Sequence, residues 1–146
     1  SRLAADAEEI AKRAIYEGAR IVADKVRSNI ASLPTDKFRF LRGTDKLNGL
    51  TSFEKADLLT GLGITPMATD GGGSWNAKIG FDGYGSMPTK RYPKGVPIQL
   101  IARSVESGSS IRRKKPFVRP ALTQTKAQAE AAMARVIEEE ITKIMG

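Results

Sequence analysis

The sequence predicts an α+β fold in which long N-terminal and C-terminal helices pack on a small, mainly antiparallel sheet, with extended loops between these elements. Apolar residues recur at steps of three and four over residues 3–33 and again over 120–145. Between these helices, residues 64–86 combine apolar–polar alternation with glycine-rich turns, a pattern typical of strands. A length of 146 residues fits a single domain, 1–146, that is large enough for a core of its own.

The first predicted helix spans residues 3–33 and ends before Pro34. Its apolar stripe consists of Leu3, Ala7, Ile10, Ala14, Ala19, Val22, Val26, Ile30 and Leu33. At about 1.5 Å per residue the helix would be about 45 Å long, which exceeds what a domain of this size needs for its own core. We therefore expect part of the helix to pack on another chain; the alternative is a bent helix absorbed entirely by its own domain.

A short second helix is predicted over residues 52–62. Thr51 and Glu54 have the spacing of a capping box, and Gly61 and Gly63 follow as stop signals. The buried face of this helix would consist of Leu58, Leu59 and Leu62.

A hairpin is predicted between residues 64 and 86. A short extended run leads into the glycine-rich turn 70–74, and a second run, 75–81, returns from it. The apolar side of the second run consists of Trp75, Ala77, Ile79 and Phe81.

Residues 96–105, VPIQLIARSV, are predicted to form a strand with one wetter face. The alternating residues are Ile98, Leu100 and Ala102 on one side and Gln99, Ile101 and Arg103 on the other. Pro97 lacks an N–H group for the ladder, so it belongs at the start of this strand or on a sheet edge.

The last helix is predicted to run from Pro120, which suits a first helical turn, to Met145. Its predicted apolar stripe consists of Leu122, Ala129, Met133, Val136, Ile137, Ile141 and Ile144. The alanine-rich run 127–134 allows another helix to come close, so we expect the first and last helices to pack across the sheet.

The positive charge of the chain is concentrated in residues 87–119. This basic segment holds nine cations and one acid, Glu106, and so carries the entire net charge of +8. Such an excess is typical of a surface that meets phosphates or an acidic protein, the alternative being a solvated loop kept soluble by its charge. The candidate partner or DNA contacts are Arg112, Arg113, Lys114, Lys115, Arg91 and Lys94.

The most basic part of this segment, residues 111–115, is predicted to be a loop fixed by the residues that follow it. Two prolines bias the residues before them away from helix, and two apolar residues between the prolines can anchor the loop in the core. The predicted loop-anchoring residues are Pro116, Phe117, Arg119 and Pro120.

The chain contains no cysteine and no histidine. It therefore has no disulfide, thiol nucleophile or thiolate zinc site, and it lacks the commonest general base and metal ligand. Its acids are scattered, and the Ser52–Lys55 spacing of a serine–lysine nucleophile is better explained by helix capping. We predict no catalytic, cofactor-binding or metal site and no enzymatic activity. With no membrane span and no secretory signal pattern, a cytoplasmic origin is expected.

Five short motifs lie between residues 60 and 121. They are LGITPM (62–67), KIGFDGY (78–84), YPKG (92–95), QLIARSVESG (99–108) and KPFVRPA (115–121). Together they resemble the gene-product-ten-type family of head-tail joining proteins of long-tailed, lambda-like double-stranded DNA phages. The most specific pair is the Glu-x-Gly at 106–108 followed by the Pro-Phe-x-Arg-Pro-Ala at 116–121, and the long first and last helices agree with the layout of that family.

The resemblance implies a non-enzymatic virion protein of the phage neck that forms a ring between the head connector and the tail tube and lets DNA pass. It implies a ring of six or twelve copies, without a cofactor, assembled in the host bacterial cytoplasm. Family members range over neck, tail-completion and minor tail components, so connector, tail terminator and tail tube proteins are the implied neighbours, with non-specific contact to genomic DNA. The glycine-rich turns 70–74 and 82–86 would become ordered on assembly.

Two other functions are compatible with the residues. The first is a stand-alone basic nucleic-acid-binding protein, which needs only the charge of the basic segment. The second is a peptide-binding or chaperone role in tail assembly.

Overall fold

The computed structural model describes residues 2–37, 39, 41–65, 68–69 and 75–146, with the side chains of 2–4, 68–69 and 75–76 outside the described set. Its elements in chain order are α1 (Arg2–Ser32), α2 (Ser52–Gly61), β1 (Leu62–Ile64), β2 (Ala68–Thr69), β3 (Trp75–Asn76), β4 (Ile79–Phe81), α3 (Ile98–Ser107) and α4 (Arg119–Met145). The predicted α+β class is confirmed, because α1 and α4 pack together beside small antiparallel sheets. Among the described residues no helix is both long and apolar enough to cross a bilayer.

The two long helices run antiparallel. Near one end Arg13 of α1 donates to Glu140 of α4 at 2.8 Å, and near the other end Asn29 donates to the carbonyl of Phe117 at 3.1 Å, just before α4 begins. Both helices lie within two residues of their predicted bounds, since Pro34 follows α1 and Pro120 lies in the first turn of α4.

Small residues mediate the contact between α1 and α4. Gly18 is buried, and a Cβ atom placed on it would lie 3.0 Å from both Cγ and Sδ of Met133, so glycine makes room for that side chain. The buried residues of α4 are Ala121, Thr125, Ala129 and Ala132. The alanine-rich run therefore does let another helix approach, as predicted.

The predicted apolar stripe of α4 is wrong in part. Ala129 is buried and Met133 and Val136 are half-buried, but the remaining four members, Leu122, Ile137, Ile141 and Ile144, are exposed. The reason is that a helix packed through alanines turns its larger apolar residues to the flank of the contact.

Helix α2 begins with the predicted capping box. The Thr51 hydroxyl accepts a hydrogen bond from the Glu54 N–H at 3.2 Å, and the Glu54 carboxylate accepts one from the Thr51 N–H at 2.9 Å. Leu58 is buried and Leu59 is half-buried, as predicted, but the helix ends at Gly61, and the buried Leu62 is its extended C-cap residue and the first residue of β1.

The predicted hairpin is present as two short antiparallel ladders. Strand β1 pairs with β4 in the register Leu62 to Phe81, and β2 pairs with β3 in the register Ala68 to Asn76. Between the ladders the Thr65 N–H donates to the Lys78 carbonyl at 2.8 Å, which keeps the two arms of the hairpin together. The predicted turn 70–74, and with it any ordering on assembly, lies outside the described residues.

The predicted strand 96–105 is wrong, because this stretch contains helix α3. Its buried residues, Ile98, Ile101, Ala102 and Val105, follow the i, i+3, i+4, i+7 spacing of one helical face. Pro97 occupies the N-cap position, where its missing N–H costs nothing, and Gly108 ends the helix with a φ of 78°. Leu100, assigned to the same side as Ile98 in the strand, is exposed instead.

The core lies between α1, α3, the start of α4 and the hairpin. It contains Val26, Ile30, Leu50, Leu58, Val105 and Phe117. Two isolated bridges join the irregular stretches to this body, Thr35 to Leu50 and Leu47 to Arg112. The second of these bridges ties the connection between α3 and α4 to the segment that precedes α2.

Candidate interaction surface around helix α3

The loop from Ser109 to Val118 connects α3 to α4 and carries most of the predicted contact residues. Leu47 donates its N–H to the carbonyl of Ile111 at 2.8 Å and accepts from the Arg113 N–H at 2.9 Å. The Lys115 N–H donates to the carbonyl of Val105 at 2.8 Å, which ties the loop back to the last turn of α3. The loop backbone is therefore fixed although its side chains are charged.

Arg112 is used inside the fold. Its side chain is buried, with the residue 3% exposed, and its guanidinium donates to Glu54 Oε2 at 2.7 Å and to the Gly49 carbonyl at 3.2 Å. Because Glu54 also closes the capping box of α2, one carboxylate joins the basic loop to that helix. The Nε of Arg112 has no hydrogen-bond partner within the described part of the chain. Of the predicted contact residues, Arg112 is thus the one whose side chain is buried and paired inside the fold.

Glu106, the single acid of the basic segment, caps helix α4. Its Oε1 accepts hydrogen bonds from the N–H groups of Phe117 and Val118, both at 2.8 Å, and its Oε2 accepts from that of Arg119 at 3.2 Å. These N–H groups belong to a helix start where Val118, the N-cap residue, offers no side-chain acceptor. The carboxylate of Glu106, which belongs to α3, accepts these hydrogen bonds instead. Its negative charge also interacts favourably with the positive end of the α4 dipole.

The most specific motif pair of the sequence is brought together by this cap. Gly108, at a φ of 78°, packs on the Lys114 backbone, and a Cβ atom there would meet the Lys114 nitrogen at 3.1 Å. Phe117 is buried and meets the ring of Phe81 edge-on, with 5.9 Å between the ring centroids. Pro116 is exposed, whereas Pro120 is half-buried in the first turn of α4 and Arg119 remains exposed. The pair is a packing unit that joins α3 to α4.

The remaining cations of the basic segment face outward. Arg113 and Lys114 are exposed beside the C-terminal end of α3, Lys94 is exposed shortly before its N-terminal end, and Arg103 is exposed on the helix itself. We call these four residues the α3 basic surface. Lys115 is half-buried, and Arg91 lies over the ring of Tyr92 at 5.7 Å from its centroid.

Among the described residues, only Arg112 of the nine cations in the basic segment forms an ion pair with a carboxylate. Arg103 was not among the predicted contacts, although the sequence contains it. Reading 98–107 with a helical period would have placed Arg103 opposite the buried Ile98, Ile101 and Val105.

A groove lies between α2 and the loop that follows the hairpin. It has a volume of about 720 Å³, and its apolar lining includes the exposed Phe53 and Met87 and the buried Ile101. Of the carboxylates beside it, Asp57 accepts hydrogen bonds from the N–H and hydroxyl of Ser86 at 2.9 and 3.2 Å. The hydrogen bond from Arg39 lowers the pKa of Asp36 from its ordinary value, with the Asn48 N–H contributing. The groove has the shape and polarity to take apolar side chains.

The second glycine-rich turn, 82–86, already makes contacts within the chain. Gly85 is buried and donates its N–H to the Val96 carbonyl at 2.6 Å, and Tyr84 forms a bridge with Pro97.

In the described part of the chain no group of three or more acids is arranged to hold a metal ion.

Comparisons with known proteins give no relatives: no family model, no curated protein and no solved structure matches this chain. The phage-family resemblance therefore stays a prediction carried by the five motifs alone.

Proposed function

We propose that this chain is a structural subunit of the neck of a long-tailed phage, forming a ring that joins the head connector to the tail tube and lets DNA pass. The chain would act in the virion, assembled in the host cytoplasm without a cofactor and without enzymatic activity. Its neighbours would be further copies in a ring of six or twelve and the connector, tail terminator and tail tube proteins.

The observation that carries the proposal is the unequal use of charge in the basic segment. Its two best-partnered side chains, Arg112 and Glu106, serve the fold, whereas Arg103, Arg113 and Lys114 are exposed and form no ion pair with the described residues. Burying a cation without a partner would weaken the fold, which explains why these side chains remain exposed. Exposed cations on a fixed backbone suit contact with an acidic neighbour or with passing DNA. Arg91, Lys94 and Lys115 would extend this contact.

Deletion of the gene from its phage tests the proposal. The expected result is full heads and free tails that fail to join, seen by negative-stain electron microscopy. Supplying the wild-type chain from a plasmid should restore joining, and a chain with Arg113 and Lys114 changed to Glu should not. Virions that keep full heads joined to tails after the deletion would rule the proposal out.

Stand-alone nucleic-acid binding is the second candidate, because cations around α3 can meet phosphates without any base-reading motif. It predicts that the isolated chain binds duplex DNA with an affinity that falls steeply with salt. Changing Arg113 and Lys114 to Ala should lower the slope of log affinity against log salt by about two, since each phosphate contact contributes about 0.9. Arg112 is kept in this variant because its loss would disturb the fold. Absence of binding at low salt would remove this candidate.

A further inference from the structure

The first part of α1 and the last part of α4 form a two-helix arm without a core. Within the described residues of the arm, 5–13 and 133–145, no residue is buried, and the nearest buried residues are Ala14 and Ala132. At about 1.5 Å per residue the arm extends about 20 Å beyond the last buried layer. We call this feature the helical arm.

The arm carries an apolar stripe that its contact with α1 leaves partly exposed. Ile137, Ile141 and Ile144 are 39%, 43% and 52% exposed and follow the i, i+4, i+7 spacing of one helical face. Singly exposed apolar residues are ordinary on protein surfaces, but three successive ones along one face of an outward-extending helix indicate a contact surface. We call these three residues the α4 stripe.

Acidic residues flank the α4 stripe. Residues 130–145 contain four acids and two cations. Glu130 lies seven residues before Ile137 and Glu138 three before Ile141, which places both beside the stripe. Both are exposed and form no ion pair within the described part of the chain. The α4 stripe and the acids beside it, Glu138 in the arm and Glu130 one turn before it, thus combine apolar anchors with unpaired negative charge.

The α3 basic surface has the complementary properties. Its cations form no ion pair with the described residues, and the same segments carry exposed apolar side chains, Leu100 on α3 and Ile111 in the following loop. Opposite charge steers association and fixes register, while apolar anchors supply the desolvated centre of an interface. The two surfaces match in both respects.

We propose that the α4 stripe of one copy docks on the α3 basic surface of a second copy. The inference rests on the proposed function for its setting and deepens it by naming the acidic neighbour as the arm of an adjacent subunit. Because the two surfaces are different patches, the contact is heterologous and generates a closed ring or an open filament. The flanking acids disfavour DNA as the partner of the arm, and they oppose a symmetric arm-to-arm dimer.

A charge-swap experiment on the full chain tests this contact. The arm variant carries Glu130→Lys and Glu138→Lys, and the surface variant carries Arg113→Glu and Lys114→Glu. Sedimentation velocity over a concentration series should show wild-type assembly, and each variant alone should dissociate at least about tenfold more readily, because like charges then face each other. An equimolar mixture of the two variants should assemble again, since both of its mixed contacts pair opposite charges.

Controls separate contact from folding. Lys46→Glu changes an exposed cation outside both surfaces and should assemble like the wild type. Far-ultraviolet circular dichroism and urea unfolding, measured at a concentration at which the wild type is also dissociated, should be the same for all variants. Ile141→Ser should weaken assembly without changing its salt dependence, because it removes an anchor and no charge.

Three outcomes overturn the inference: a wild-type chain that stays monomeric at its highest attainable concentration, variants that assemble like the wild type, or a mixture that fails to reassemble. Closed dimers that tolerate the surface variant would indicate arm-to-arm pairing instead. The deletion phage without a plasmid distinguishes the two failures: heads that stay joined to tails refute the neck function, whereas heads and tails that fail to join, together with any outcome above, refute this contact alone.

Discussion

The basic segment and the helical arm use charge in opposite ways. In the basic segment, Arg112 and Glu106 form hydrogen bonds that stabilise the fold. The other cations of the segment form no ion pair with the described residues. In the arm, cations such as Arg13, Lys12 and Lys143 pair with nearby carboxylates, while the isoleucines of the α4 stripe stay exposed.

The difference separates groups that hold the chain together from groups that remain available to a partner. Breaking a buried ion pair leaves a buried charge without a partner, which costs much stability. An exposed ion pair competes with water and contributes little stability. Stability should therefore depend on a few polar side chains within the basic segment and scarcely on the many ion pairs of the arm. Three substitutions test this contrast.

The largest effect is expected for Arg112→Met, which keeps the apolar stem and removes the charge. Glu54 and the Gly49 carbonyl then lose their buried partner, and the free energy of unfolding should fall by about 3 kcal/mol. Urea unfolding followed by circular dichroism measures the change. Arg113→Met is the matched control and should stay within about 0.5 kcal/mol. Equal losses for the two variants would mean that the buried pair has no special weight.

An intermediate effect is expected for Glu106→Gln. An amide has one acceptor oxygen where the carboxylate has two, so at least one N–H at the start of α4 loses its partner and about 1–2 kcal/mol of stability is lost. Hydrogen exchange at residues 117–119 should accelerate before the rest of α4 does. Glu130→Gln, on the exposed side of the same helix, should leave both readouts unchanged. Unaltered exchange at 117–119 would contradict the capping role.

The smallest effect is expected for Arg13→Ala. Its ion pair with Glu140 joins the two helices of the arm at 2.8 Å, but Arg13 is exposed and the pair is screened by water and salt. The urea midpoint should not change measurably, and Lys12→Ala serves as the comparison in the same part of α1. A clear loss of stability from Arg13→Ala alone would contradict the expectation that the exposed ion pairs of the arm contribute little to stability.

The long elements could be predicted from sequence because their signals are redundant. Helix α1 combines a long apolar stripe with Pro34, and α2 has a complete capping box, so local propensity and packing agree. The stretch 98–107 lacked that redundancy, because its β-branched residues fit both a strand and a helix over ten positions. The helix forms because Ile98, Ile101, Ala102 and Val105 can be buried together, which is a property of the assembled core.

The candidate surface could be predicted in charge but not in geometry. The excess of cations in the basic segment is visible from composition, whereas the partner of each one depends on residues far along the chain. Arg112 meets Glu54, 58 positions away, and Glu106 reaches Phe117, 11 positions away. The exposure of the α4 stripe likewise follows from packing through alanines, which a helical period alone does not reveal.

The carboxylate cap joining α3 to the first residues of α4 makes that joint the pivot of a lever. Helix α4 is 27 residues long, which corresponds to about 40 Å, and its far end has no core to restrain it. A tilt of about 5° at the pivot therefore displaces the tip by about 3.5 Å. A molecule seated against α3 could in this way set the position of whatever touches the opposite end.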